Sequence, residues 1–193
     1  MFFESKIYSN ISRGSIEGIC GSMFSGKTQE LIRRLKRLKV AKKKFIVFKP
    51  SIDIRYDENK IVSHNQDSVN ATSVNNSVEI EEVVSNEDVI AIDEAQFFDE
   101  YLVNLCNNFA NQGKRVIVCG LDMDYLGVPF GVMPLLLAIS DNITKLHAIC
   151  SDCGDTANYS YKKGKNKDRI KIGEKDEYKA LCRVCFTKKI DCE

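Results

Sequence analysis

Three groups of residues carry chemistry by their type and spacing. The first is Gly21-Ser22-Met23-Phe24-Ser25-Gly26-Lys27-Thr28, which satisfies G-x-x-x-x-G-K-[ST] between an apolar run and an amphipathic segment. Glycines there let successive backbone N–H groups turn inward around phosphate oxygens at a helix N-terminus, where the dipole favours negative charge. In that frame Lys27 is a point charge for the β and γ phosphates of ATP, and Thr28 is a hydroxyl ligand for Mg²⁺. The second group is Asp93-Glu94, directly after Val89-Ile90-Ala91-Ile92. An enzyme using a phosphate loop needs a second carboxylate at the end of a neighbouring strand, and adjacent residues leaving a strand point in different directions. Asp93 then serves the Mg²⁺ shell while Glu94 faces the attacking nucleophile as a general base. An acidic pair capping a helix from Asp99 is the competing explanation, but it does not account for the pair's place after a buried run.

The third group is Cys150-x2-Cys153 and Cys182-x2-Cys185, 28 residues apart. Two residues between thiolates let both reach one tetrahedral ion, so the pattern predicts a tetrathiolate Zn²⁺ site. Four protein ligands leave no open position for a catalytic water, which makes the site structural. A metal clip there would hold both ends of Ser160 to Lys179 and leave the middle to move as a tethered lid. A redox dithiol is the alternative; two pairs are present and neither is expected to open a helix after a strand. Cys20, Cys106 and Cys119 sit in apolar stretches as small core residues, and Cys192 reads as a free thiol.

These groups need a scaffold, and short apolar runs alternating with amphipathic segments predict one: an α/β parallel sheet wrapped by helices. The runs are Ile16–Cys20, Phe45–Phe48, Val89–Ile92, Val116–Cys119 and Leu146–Ile149, each too short for a helix and most rich in Ile and Val. Leu31, Ile32, Leu35 and Leu38 share one face at helical spacing, as do Tyr101, Leu102, Leu105, Cys106 and Phe109. Asn59–Asn76, polar with scattered Val, reads as a loop or irregular hairpin at the sheet edge. Beyond about Cys150 the apolar runs cease and lysines accumulate, which divides the chain into 1–148, an ATP-binding domain, and 149–193, a zinc-ribbon-like lid.

With 28 basic against 27 acidic side chains, a formal charge of +1 and 44% hydrophobic residues, the 193-residue chain has no bulk electrostatic case for nucleic-acid binding. The basic run Arg33, Arg34, Lys36, Arg37, Lys39, Lys42, Lys43 and Lys44 reads as a solvated helix face. Met1–Gly14 has no apolar stretch long enough for a signal peptide or membrane span, which predicts a cytoplasmic protein. His64 and His147 stand alone, and neither is assigned a catalytic role.

In combination these pieces resemble the type II thymidine kinases, P-loop deoxynucleoside kinases with a zinc-bearing lid. The series is GSMFSGKT at Gly21 to Thr28, Lys49-Pro50 followed by Asp53-x-Arg55-Tyr56, Asp93-Glu94-Ala95-Gln96-Phe97-Phe98, Gly120-Leu121-Asp122, Pro129-Phe130-Gly131, and the cysteine pairs with Tyr178 four residues before Cys182. The resemblance implies a P-loop NTPase sheet of the RecA-like kind and transfer of the γ-phosphoryl group of ATP to the 5′-hydroxyl of thymidine. It implies Glu94 as proton acceptor, Thr28 and Asp93 around Mg²⁺, Lys27 on the phosphates, and Arg55 near the transferring group. Met23, Phe97, Leu121, Tyr125 and Phe130 match positions around the nucleoside; Ser160, Ile172, Gly173 and Tyr178 match the lid. A homotetramer inhibited by thymidine triphosphate (dTTP), acting like a bisubstrate ligand, is implied in the same way. The chain departs from the family pattern at Asp124-Tyr125, where a Thr-Phe type of pair is commoner, and at Gln66, where bacterial relatives often have Gly. Asp124 is therefore expected to alter a sugar-proximal contact. Asp93-Glu94-Ala95-Gln96 also resembles a helicase DEAx box, which keeps a nucleic-acid-stimulated ATPase as the alternative; 193 residues leave no room for the second motor domain it needs.

Overall fold

The computed structural model describes residues 14–53, 60–62, 67–163 and 177–191. Arg55, Tyr56, His64, Gln66, Ile172, Gly173 and Cys192 lie outside them. In chain order the elements are β1 (Ser15–Gly21), α1 (Lys27–Val40), β2 (Phe45–Pro50), β3 (Lys60–Val62), β4 (Ser68–Asn70), β5 (Thr72–Val74), α2 (Ser77–Val83) and β6 (Val89–Ile92). Then follow α3 (Tyr101–Asn111), β7 (Arg115–Gly120), α4 (Met133–Ala138), β8 (Asn142–Leu146), β9 (Ala148–Ile149), β10 (Thr156–Ala157), β11 (Tyr159–Lys162), β12 (Tyr178–Leu181) and α5 (Arg183–Ile190).

The main sheet runs β5-β2-β6-β7-β1-β8 with every neighbouring pair parallel. Its strands β6 and β7 are buried on both faces, which is why Val89–Ile92 and Val116–Cys119 are continuous apolar runs rather than alternating ones. On one face Leu31, Ile32, Leu35 and Leu38 of α1 pack with Ile61 and Val69 of the β3–β4 hairpin against Ile19, Val47, Ala91 and Ile117. On the other, Ile80 of α2, Leu102, Leu105 and Phe109 of α3, and Met133 and Leu136 of α4 pack against Phe48, Ile90, Ile92 and Val118. A third cluster, with Ala148, Ala157, Tyr159, Ala180, Leu181 and Phe186, holds the C-terminal strands and α5 together. Half-buried polar contacts add to this packing. Arg34 (α1), whose side chain is 13% exposed, bonds Glu17 (β1) at 2.6 Å, and Arg115 (β7) bonds the same carboxylate at 2.7 Å. Burial raises the Glu17 carboxyl, but Arg115 and Arg34 outweigh it and hold it below its usual range.

One sequence expectation changes. Leu146–Ile149 is not one strand: β8 ends at Leu146 and pairs with β1, whereas Ala148–Ile149 pairs antiparallel with Thr156–Ala157 in a separate ribbon. As an edge strand β8 alternates between half-buried and exposed residues, so it lacks the apolar run that marks its neighbours. The basic run is a solvated face as expected, every residue of it but Arg34 being exposed; Arg34 is half-buried in the Glu17 network, and the exposed Lys36 pairs with Asp67 at 2.7 Å. Within the segment read as a loop or irregular hairpin, Lys60–Val62 and Ser68–Asn70 pair antiparallel, and Thr72–Val74 forms β5, which pairs with β2 at the sheet edge.

Candidate active site

In a parallel sheet the crevice lies beyond the C-terminal ends of the strands, where loops diverge. β1 ends there at Gly21, with φ 142°, and a Cβ on it would stand 2.1 Å from the carbonyl oxygen of Leu146. Phe24, at φ 65°, and Gly26, at φ 84°, are left-handed and turn the loop into α1. Inside the loop the Ser25 hydroxyl donates to the Ser22 carbonyl at 2.8 Å and Lys27 Nζ to the same oxygen at 2.9 Å. The Ser22 hydroxyl is buried with no hydrogen-bond partner among the described residues. An orphaned polar atom beside a buried lysine fits a loop built to meet phosphate oxygens.

The two carboxylates at the end of β6 are 4% and 8% exposed for Asp93 and Glu94. Thr28 Oγ1 donates to Asp93 Oδ2 at 3.4 Å, so the hydroxyl and carboxylate expected around Mg²⁺ converge; they are hard oxygen donors of the kind that ion takes. The sequence placed Asp93 on a strand next to β1, but β7 lies between them. Cys119 of β7 lies in that interval with its thiol hydrogen-bonded to Asp93; burial first, then the Asp93 charge, push that thiol well above its usual range. Glu94 has φ 50°, a left-handed conformation that costs a non-glycine residue about 1–3 kcal/mol and clusters at functional sites. It turns the chain from β6 into a single 3-10 turn, Ala95–Phe97, which parts the two carboxylates. Gln96 Nε2 donates to Glu94 Oε2 at 2.6 Å, and Leu121 N–H donates to Gln96 Oε1 at 3.0 Å. Neither acidic residue caps α3: its N-cap is Glu100, without a side-chain cap, and Asp99 just before it accepts from Tyr101 N–H at 3.0 Å and from Ser77 N–H at 2.9 Å.

Aromatic and lid residues gather beside this centre. Phe97 and Phe130 meet edge to face with centroids 5.6 Å apart. Asp124, 2% exposed, accepts from Leu126 N–H at 2.9 Å and Val128 N–H at 3.1 Å, which makes it an organiser of its own loop. Lys162 lies with Nζ 5.3 Å from the Tyr125 ring centroid and pairs across β11–β12 with Tyr178. Burial, then the Glu177 charge, then Tyr125 push the Tyr178 phenol up. The Ser160 hydroxyl, on β11, accepts the Met23 N–H of the phosphate loop at 2.9 Å. Met23 and Leu121 are half-buried alongside.

The four thiols of Cys150, Cys153, Cys182 and Cys185 lie within 4.8 Å of one another, close enough to share one metal ion. At Cys150 burial acts upward, but backbone hydrogen bonds from Cys182, Asp152 and Cys153 win and bring it down to about 6. Shared side-chain hydrogen bonds with Cys153 and Cys182 hold Cys185 up at about 12. Four sulfurs converging on one point are a donor set that a soft-tolerant divalent cation completes. Cys182 does open a helix after a strand, contrary to expectation: it follows β12 and caps α5, accepting from Cys185 N–H at 3.5 Å. Four converging sulfurs, rather than the absence of a helix, are what favour metal over a dithiol.

A family model described as thymidine kinase matches residues 14–186. The chain belongs to the thymidine kinase family. A thymidine kinase of Bacteroides fragilis strain YCH46 is 51% identical over 186 residues, covering 96% of this chain and 94% of its own. One from Porphyromonas gingivalis strain W83 is 51% identical over 96% of this chain and 91% of its own. One from Rhodothermus sp. is 49% identical over 91% and 82%. Among the described residues no helix is long and apolar enough to cross a membrane.

Within this thymidine kinase framework the phosphate loop, Asp93, Glu94, Phe97, Leu121, Phe130, Ser160 and Tyr178 all lie at the C-terminal end of the sheet or on elements touching it. Arg55, Ile172 and Gly173 fall outside the described residues. Sequence reasoning gave no site role to Gln96, quoted only within its motif, to Cys119, read as core, or to Lys162, and all three now contact site residues. Gln96 had one available signal, its place two residues after Glu94; Cys119 and Lys162 had none, because their partners are distant in sequence.

Proposed function

We propose that this thymidine kinase transfers the γ-phosphoryl group of ATP to the 5′-hydroxyl of thymidine, and less readily of deoxyuridine, giving the nucleoside monophosphate and ADP for deoxynucleotide salvage in the cytoplasm. The observation that carries the reading is the separation of the Asp93 and Glu94 roles. Asp93 bonds to Thr28 of the phosphate loop, while Glu94, turned by its left-handed backbone, accepts from Gln96, whose amide oxygen is held by Leu121 N–H. Glu94 accepts the hydroxyl proton; the freed oxygen pair forms the bond to the γ-phosphorus as the bond to the bridging oxygen breaks and ADP leaves. Lys27 and the loop amides hold the phosphates, with Arg55 near the transferring group. Thr28 and Asp93 would hold Mg²⁺, which supplies charge neutralisation to the phosphates.

Tyr178, Ser160, Ile172 and Gly173 form the lid side of the nucleoside site, and Met23, Tyr125, Phe97, Leu121 and Phe130 the opposite side. Residues 149–193 act as that lid, tied at its base by Zn²⁺ on Cys150, Cys153, Cys182 and Cys185. The hydrogen bond from Met23 to Ser160 supports coupling between lid and phosphate loop. The enzyme works as a homotetramer, binds no nucleic acid, and is inhibited by dTTP spanning both substrate sites. ADP release with thymidine, with single-stranded DNA, and with neither tests the reading. Release that needs thymidine is expected; release driven by DNA alone would instead make this an ATPase of the helicase kind.

A further inference from the structure

Gln96 is 3% exposed, and both ends of its side-chain amide are engaged. Leu121 N–H, a backbone donor at the end of β7, points at one amide atom from 3.0 Å, so that atom must be the oxygen. The NH₂ is thereby forced toward Glu94, whose Oε2 it meets at 2.6 Å. Two glycines make room for this arrangement. A Cβ on Gly120 would stand 2.5 Å from Gln96 Oε1, and one on Gly131 2.1 Å from the Gln96 carbonyl oxygen.

We propose that Gln96 is the positioning residue of the phosphoryl-transfer reaction: it fixes the plane of the Glu94 carboxylate by binding Oε2, so that Oε1 is the atom presented to the acceptor hydroxyl. This rests on Glu94 being the base. A carboxylate next to a left-handed backbone has several side-chain torsions to settle, and one short charge-assisted bond removes the most consequential. The same amide, through Leu121 N–H, ties the base to the β7 end that carries the nucleoside wall. Base and substrate are thus referred to one rigid point rather than to two independent loops.

The test is a double-mutant cycle of Gln96→Met and Glu94→Gln in the full chain, with kcat and KM for ATP and thymidine from ADP release. Gln96→Met keeps the side-chain length and loses both hydrogen bonds. Its kcat should fall by about 10- to 100-fold, the scale for removing a group that orients a catalytic one, with each KM within about 3-fold. Because Gln96 acts through Glu94, adding Gln96→Met to Glu94→Gln should slow turnover no further. Multiplying losses would place the effect of Gln96 elsewhere and overturn the proposal, as would an unchanged kcat for Gln96→Met beside a large loss for Glu94→Gln. Undiminished turnover in Glu94→Gln would sink the base assignment itself, and the proposal with it. Should Gln96→Met fail to fold, Gln96→Asn keeps the amide but is one methylene too short to hold both Leu121 N–H and Glu94; the same kcat loss is expected, and parental turnover would refute the role.

Discussion

Replacing Glu94 with glutamine tests the chemistry most directly, and the structure says how the loss arises. The Gln96 amide donates to Oε2, so a glutamine at position 94 keeps its own oxygen there and turns its NH₂ to the place of Oε1. A donor then faces the nucleoside hydroxyl where an acceptor is required, with nothing else in the side chain changed. Removing general-base assistance costs about 10²-fold or more in turnover, or at least about 2.7 kcal/mol in the barrier. Thr28, Asp93 and the phosphate loop are untouched, so KM for ATP should stay within about 2-fold while kcat falls. Steady-state ADP release at saturating thymidine and ATP measures the drop, and circular dichroism with thermal unfolding confirms the fold. Turnover within about 5-fold of the parent would mean that the proton goes elsewhere and that the buried carboxylate is structural.

Metal analysis of freshly purified, reduced protein should find about one Zn²⁺ per chain; Cys153→Ser should speed hydrogen exchange in Tyr159–Lys162 and Tyr178–Leu181 before Val116–Cys119, and a zinc-free parent protein would contradict the metal reading. Gly131→Ala places a Cβ 2.1 Å from the Gln96 carbonyl oxygen at φ 53°; strain of about 1–3 kcal/mol should lower Tm by roughly 2 to 12 °C, as read by calorimetry. Bonds to Arg33, then opposing burial, then Arg34 hold Glu30 down at about 2 against its usual 4.5, so its contribution to stability is complete above that usual value and fades as pH falls toward 2. Glu30→Gln should flatten the decline of Tm across that acid window, and an unaltered slope would count against the pairing. Thymidine should be preferred to deoxyuridine by about 1–3 kcal/mol of methyl contact, and both far over deoxycytidine, whose reversed donors leave buried groups unpaired. Tyr178→Ala should raise KM for thymidine more than for ATP, and comparable kcat/KM for thymidine and deoxycytidine would defeat the lid account.

Local order decided much of this protein. Val89–Ile92 and Val116–Cys119 are buried on both faces, so their runs were legible as central strands, and the glycine-lysine loop between a strand and a helix announced itself by its local order. The pairs of cysteines declared their chemistry because two-residue spacing is itself the geometry that a metal needs. What the sequence could not carry was strand order. Nothing local places β7 between β1 and β6, puts Cys119 against Asp93, or makes Asn142–Leu146 an edge strand whose half-exposed residues hide its pairing. Nor does spacing reveal that Arg34 is a half-buried partner of Glu17, or that Gln96 stands between Glu94 and Leu121. Chain neighbours set propensity and motif, but a hydrogen bond between residues 25 positions apart exists only once the sheet has brought two strand ends together. The identities of the reacting groups are therefore written locally, and their aim is a property of the folded sheet.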